Sequence, residues 1–226
     1  MIIWLASYPK SGNTWLRFFI LSLLMGRKTN LHLNHLKAIA SYPDKSHLEG
    51  LTSKYLNFEE VSKNWIGSQN RINFDKKLKF FKTHNMLGKF KGHPFTNKDN
   101  TLATIHIVRD PRNVITSLTH HYDLTYEEAY SHMVDENSSL LETSHELDHS
   151  NFTYLSSWSN HYQSWKNNKK FKTLFIKYED IEKNKENVFE TVINFINNLK
   201  GRDTDLNQKK FLNSIKSTNF SNLKNK

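Results

Sequence analysis

The chain has 226 residues, of which 37 % are hydrophobic and 13 % aromatic, enough apolar side chain for one substantial core and a single domain over residues 1–226. It contains no cysteine, which rules out disulfide staples and thiolate metal sites and removes any need for an oxidising compartment. A formal charge of +10 favours anionic partners, whether phosphate, sulfate, nucleic acid or a membrane surface, and charge alone does not choose among them.

Residues 2–6, Ile-Ile-Trp-Leu-Ala, are a short apolar run closed by Ser7-Tyr8-Pro9, the pattern of a fully buried strand. No basic lead or small-residue cleavage site precedes it, so the expectation is a soluble, cytoplasmic protein. Residues 14–25 read as an apolar helix, and the longest greasy stretch, residues 15–25, includes Arg17 and is too short to span a bilayer. Residues 78–83 and 103–108 predict two further strands. The second leads through Asp110 and Pro111 into a helix ending near Tyr122, with Pro111 at the first helical position, where its missing N–H costs nothing. Residues 152–167 predict a helix with Tyr154, Leu155, Trp158, Tyr162 and Trp165 at its apolar positions, and residues 173–178 a strand. Residues 187–199 predict a helix with Val188, Val192, Phe195, Ile196 and Leu199 on one stripe. The Lys-Asn runs at 166–172 and 200–210 read as solvated faces, and no repeat or Pro-, Gly- or Ser-rich linker interrupts the chain. Strands alternating with helices predict an α/β fold of three layers, a central parallel sheet covered on both faces.

Residues 7–15, Ser-Tyr-Pro-Lys-Ser-Gly-Asn-Thr-Trp, join the first strand to the first helix, where unpaired backbone N–H groups and the helix dipole attract an anion. Gly12 admits close backbone approach, Ser11 and Thr14 offer hydroxyl donors, and Lys10 carries a mobile positive charge. By residue type alone this is either a phosphate cradle or an ordinary strand-to-helix turn. The nucleotide-kinase pattern of a glycine four residues before Gly-Lys-Ser/Thr is absent, and no G-x-G-x-x-G occurs.

The run Tyr8-Pro9-Lys10-Ser11-Gly12-Asn13-Thr14-Trp15 strongly resembles the 5′-phosphosulfate-binding loop of the sulfotransferase family, which usually has Thr where this chain has Asn13. Residues 107–117, Ile-Val-Arg-Asp-Pro-Arg-Asn-Val-Ile-Thr-Ser, resemble the family's 3′-phosphate-binding strand and helix, including the step from Arg109 to Ser117. Lys82-Thr83-His84 resembles the strand end that carries the catalytic base of the cytosolic-type enzymes. Weaker matches follow at Lys177-Tyr178-Glu179-Asp180 and Thr218-Asn219-Phe220, which resemble later nucleotide contacts.

The resemblance implies a P-loop-kinase-like sulfotransferase fold. It implies transfer of a sulfuryl group from 3′-phosphoadenylyl sulfate to a hydroxyl or amine, with 3′,5′-adenosine bisphosphate as product and no required metal. His84 would be the base, which residue type alone would leave as readily a surface or core histidine among 12. Lys10 would stabilise the bridging oxygen, and Ser117 would bind the 3′-phosphate and hold Lys10 back until an acceptor arrives. Arg109 would fork onto the 3′-phosphate, its alternative being a helix-flanking salt bridge to Asp110 or a neighbour. Ser11, Gly12, Asn13 and Thr14 would cradle the 5′-phosphate, Trp15 and Phe220 would pack on the adenine, and Tyr178 and Thr218 would complete the nucleotide site. Trp15, Phe220 and Tyr178 serve equally as core aromatics.

Residues 145–149, His-Glu-Leu-Asp-His, match the zinc-hydrolase pattern formally, but their polar flanks lack the apolar face a buried zinc helix needs. His120-His121-Tyr122 reads as a helix end near the acceptor. Residues 26–75 and 123–151 are expected to form the pocket for a small-molecule or glycan acceptor, with no specific nucleic acid as partner. The rivals are an ATP-dependent kinase of related fold and a non-catalytic polyanion-binding module. The family continues past the 218–220 region to an Arg-Lys-Gly loop over the 3′-phosphate, to which no segment here corresponds.

Overall fold

A strand apolar on both faces is stable only in the middle of a covered sheet. In the computed structural model, which describes residues 1–25, 33–141, 148–201 and 208–217, that strand is β1 (Ile2–Ser7), buried throughout. It is followed by α1 (Asn13–Met25), a 3-10 turn at Leu33–Ala38, α2 (Lys45–Leu48), α3 (Phe58–Lys63), α4 (Trp65–Ile72) and β2 (Lys79–Thr83). The short strands β3 (Lys89–Phe90) and β4 (His93–Pro94) lead to β5 (Thr101–Val108), α5 (Pro111–Tyr122) and α6 (Tyr126–Val134). The hairpin strands β6 (Ser139–Leu140) and β7 (Thr153–Tyr154) precede α7 (Trp158–Lys166), β8 (Lys172–Lys177), α8 (Tyr178–Lys183), α9 (Lys185–Leu199) and α10 (Gln208–Ser217).

The main sheet has the order β2-β1-β5-β8, and every pairing in it is parallel. The predicted α/β architecture is the one observed. Because side chains alternate along a strand, Ile3 and Leu5 of β1 and Ile105 and Ile107 of β5 pack with Phe19, Phe189 and Ile196 on one face. Phe19 stacks on Phe189 with centroids 3.9 Å apart. Ile2, Trp4 and Ala6 point the other way, toward Tyr42, Trp65, Phe81, Phe95 and Trp165. All four strands therefore end at one edge. The chain leaves β1 toward β2 but leaves β5 toward β8, so the crevice between the ends of β1 and β5 is a topological switch point, where open α/β sheets bind their ligands.

The predicted helix over 152–167 is a correction: Thr153–Tyr154 is a strand and the helix begins at Trp158. Tyr154 gives its N–H to Asn85 Oδ1 (2.9 Å) and its carbonyl to the Met86 N–H (2.9 Å), Ser156 sits at φ 56°, and Ser157 caps the helix by accepting from Asn160 N. These tertiary bonds outweigh the apolar spacing. Tyr178, expected at a strand end, opens α8 instead.

Two histidines lie inside the core. His106 of β5 is 1 % exposed and His161 of α7 is 0 % exposed, with ring centroids 5.6 Å apart. Burial pushes the His161 pKa down to about 4. Burial first, and His161 second, hold His106 well below the ordinary histidine range. Both are neutral at pH 7 and protonate less readily than in the unfolded chain, where the pKa is about 6.5. The unfolded state therefore takes up protons first as pH falls, so their stability contribution is complete above that value and is lost toward pH 4. Each should cost about 1.4 kcal/mol per pH unit over the window. Urea unfolding followed from pH 7 to 4.5 should show this decline, and His106→Leu should make it shallower; stability flat to pH 5 would contradict the assignment.

Candidate active site

The chain leaves β1 at Ser7 and turns through residues 8–12 into α1, and the turn requires unusual backbone. Lys10 has φ 64° and Gly12 has φ 94°. A lysine in the left-handed region costs on the order of 1–2 kcal/mol, and Arg109 offsets it by donating from its guanidinium to the Lys10 carbonyl at 2.9 Å. Asn13 is turned inward: its Nδ2 donates to the Leu5 carbonyl (2.8 Å) and the Ser7 hydroxyl (3.2 Å), stitching the loop to the strand it came from. The Asn13 side-chain amide is thus occupied within the protein. Thr14 is exposed in the first turn of α1. Ser11 is 1 % exposed, yet neither its Oγ nor the buried Nε of Arg109 has a hydrogen-bond partner. Buried donors left unpaired cost about 1–3 kcal/mol each, a cost that an acceptor at this loop would remove.

Gly12 abuts the ring of Tyr178 so closely that a Cβ there would stand 2.5 Å from Tyr178 Cδ2. The Trp15 ring stacks on Tyr178 with centroids 5.4 Å apart and planes 13° apart, and the Arg109 guanidinium lies 4.3 Å from the Tyr178 centroid. Loop, first helix, β5 end and β8 end thus meet at one ring. The Asp110 N–H donates to the Glu179 carboxylate at 2.9 Å, which ties the last two of these together. Asp110 caps α5 and pairs with Arg112 at 2.5 Å. The alternative in which Arg109 pairs with Asp110 is therefore not the arrangement found. Ser117 lies half-buried on α5, and no hydrogen bond joins it to Lys10 among the described residues.

His84 lies just past the end of β2, half-buried. Its Nδ1 is 2.6 Å from the Ser7 carbonyl, with the Ser7 hydroxyl 3.3 Å away. A carbonyl only accepts, so Nδ1 carries the proton and Nε2 keeps its lone pair. Burial, then the Lys82 charge, hold the ring's pKa well below the ordinary range although the Ser7 bond opposes them. At neutral pH it is an imidazole able to accept a proton. Lys10 is also pushed down, by burial and then by Arg109 and Lys82. Three cations from β1, β2 and β5 thus crowd one edge, a repulsion that an anion would relieve.

Beside the loop lies a cavity of about 320 Å³, walled by Tyr8, Leu118, Tyr122, Leu124, Leu140 and Leu155 among others. Leu124, His132 and residues 138–141, from the expected 123–151, are in its wall, whereas no described residue of 33–75 lines it, nor does His84 or Lys10. Tyr122, at the end of the His-His-Tyr helix terminus, does line it. Thr218 and Phe220 lie outside the described residues, as do residues 145–147 of the zinc-like run. Among the described residues no cluster of metal-ligating side chains occurs.

Sequence reasoning gave no role to Ser7 or Lys82. The signal for Lys82 was present, because residues 82 and 84 share one face of an extended chain. Nothing local pointed to Ser7, whose partner is 77 positions away.

A family model describing a sulfotransferase domain matches residues 2–226. No curated protein matches the sequence. Among solved structures, the mouse sulfotransferase SULT7A1 complexed with PAP is similar at 21 % identity and TM-score 0.56, over 97 % of this chain and 64 % of that one. Retinol dehydratase in complex with retinol and PAP is similar at 18 % identity and TM-score 0.57, over 99 % of this chain and 66 % of that one. Its complex with androsterone and inactive cofactor PAP gives 17 % identity and TM-score 0.55, over 99 % and 66 %. The chain thus spans about two thirds of the length of these structures, and at such identities the likeness concerns the fold.

The closeness of Gly12 to Tyr178 is testable without any ligand. Gly12→Ala should lower stability in urea unfolding by more than the about 1–3 kcal/mol expected from backbone strain alone. Gly92→Ala measures that strain separately, since Gly92 has φ 88° with nothing within 4 Å of an added Cβ. Equal losses at the two positions would show that the ring contact does not constrain the loop.

Proposed function

Because the chain belongs to the sulfotransferase family, we propose that it transfers a sulfuryl group from 3′-phosphoadenylyl sulfate to a hydroxyl or amine of an acceptor held beside the loop of residues 8–12. The observation that carries this reading is the pair of buried donors without partners, Ser11 Oγ and Arg109 Nε, flanking Lys10 at the switch point. A phosphate- and sulfate-bearing nucleotide fits them, since its oxygens supply the acceptors they lack. When bound, this co-substrate supplies the sulfuryl group and leaves as 3′,5′-adenosine bisphosphate.

The chain's own residues then divide the work. Ser11, Thr14 and the backbone N–H groups at Gly12 and Asn13 hold the 5′-phosphate. Lys10, with Lys82 beside it, concentrates positive charge where the leaving oxygen becomes anionic. Arg109 and Ser117 hold the 3′-phosphate. Trp15 and Tyr178, already stacked, offer the adenine a flat apolar edge. His84 Nε2, oriented by the bond from Nδ1 to Ser7, takes the proton of the attacking hydroxyl or amine. No metal is needed in this reading, because three cations already surround the anion. The leucine- and tyrosine-lined cavity suits a small apolar acceptor better than a glycan. No helix of the described residues is long and apolar enough to cross a membrane, and the resemblance of Lys82-Thr83-His84 to the cytosolic-type enzymes supports a cytoplasmic location.

Calorimetry with 3′,5′-adenosine bisphosphate against ADP tests the reading: at least about tenfold preference for the bisphosphate is expected, and equal or reversed affinities would favour a kinase instead. Arg109→Ala should weaken the bisphosphate far more than 5′-AMP. Equal losses would confine Arg109 to supporting Lys10 and Tyr178. With 3′-phosphoadenylyl sulfate and 2-naphthol as probe acceptor, Lys10→Ala and His84→Ala should each lower turnover by about a hundredfold or more. Near-normal rates in either variant would remove that residue from the chemistry.

A further inference from the structure

The segment from His84 to Leu87 belongs to no helix or strand, so its backbone groups have no ladder to join and must find partners elsewhere. They find them largely on one face of α7. His161 Nε2 lies 3.0 Å from the His84 carbonyl and, facing an acceptor, must donate to it. Trp165 Nε1 donates to the Asn85 carbonyl at 3.1 Å. The Leu87 N–H donates to Ser164 Oγ at 2.9 Å. Residues 161, 164 and 165 are spaced i, i+3 and i+4, one stripe of a helix. Hairpin strand β7 completes the grip through Asn85 and Met86.

His161 is more than packing. Its ring is 0 % exposed, and its Nδ1 has no hydrogen-bond partner. An apolar ring of the same size would fill the space without leaving a buried nitrogen unpaired. What the imidazole adds is the single bond to the His84 carbonyl. The Tyr8 ring meets it edge-on, with centroids 5.4 Å apart and planes at 87°, and Tyr8 is also a wall of the cavity. His161 therefore touches both a residue of that wall and the peptide of His84, whose ring is bonded to Ser7.

We propose that α7 is a clamp on residues 84–87 and that His161 is a positioning residue, fixing the His84 peptide so that the ring keeps Nδ1 on Ser7 and presents Nε2 to the acceptor. This rests on the reading of His84 as the base. Besides His161, the charged groups acting on that ring are Lys82 and Arg17, and neither is altered by the variants below.

The test uses the full chain labelled with ¹³C,¹⁵N-histidine, with the His84 resonances identified by their loss in His84→Gln. His161→Phe keeps the ring and removes the donor; His161→Gln restores a donor at similar reach. The wild-type protein should show His84 as the Nδ1–H tautomer. His161→Phe should mix the tautomers, and His161→Gln should return the Nδ1–H form. Turnover of 3′-phosphoadenylyl sulfate with 2-naphthol should fall about tenfold in kcat in the Phe variant, at unchanged KM for the nucleotide, and recover to within about threefold in the Gln variant. If the Phe variant does not fold, Ser164→Ala decides, with a smaller change of tautomer in the same sense. Unchanged His84 signals in a folded His161→Phe, or in Ser164→Ala where that variant decides, would overturn the proposal. The resonance readout needs no turnover, so a tautomer change in a protein whose wild type is inactive would support the clamp while counting against the transfer reaction.

Discussion

The constraint on which the molecule depends is that β1 is apolar on both faces. Such a strand cannot lie at an edge or against water, so β2 and β5 must flank it and helices must cover both sides. Once that is satisfied in a parallel sheet, Ser7, His84 and Arg109 follow from three strands ending at one edge. The residues are 77 and 25 positions apart along the chain, and burial of β1 between β2 and β5, with the parallel ladders that pair them, brings them together. No interaction within the site would be strong enough to do so, since each of its hydrogen bonds contributes about 1 kcal/mol net.

The site is locally unfavourable, and the core makes this tolerable. A left-handed lysine, two buried donors without partners and three crowded cations are each destabilising. They are anchored by layers in which Phe19 stacks on Phe189 and Trp4 meets Tyr42, Phe81 and Phe95. Rigid scaffolding of this kind is what allows a loop to hold charges and donors in place despite their local cost.

Histidine is used here in two ways that its chemistry keeps distinct. His106 and His161 are core residues that must stay neutral, and acid should therefore act on stability through them. His84 is at the rim, where one nitrogen is committed to a carbonyl and the other is left basic. The bond from His161 to the His84 peptide links the two uses, so the interior that sets acid sensitivity is the same interior that orients the rim.

Much of this was legible in the sequence, because its strongest signals are local. The buried run at residues 2–6, the loop that follows, the cap and proline that open α5, and the alternation of strands and helices all arise from neighbours within a few positions. The resemblance of the loop and of residues 107–117 to one family added the anion. What the sequence could not decide were the bonds between distant residues. That Arg109 holds Lys10 and lies over Tyr178 rather than pairing with Asp110, that Asn13 turns inward, and that residues 153–154 form a strand despite helical spacing all depend on groups far away in the chain. So does the cavity wall, assembled from the loop, α5 and a hairpin. Local periodicity and charge determine which elements form, but only the packed sheet determines which side chains find each other, because that choice is made by burial and unsatisfied polar groups in three dimensions.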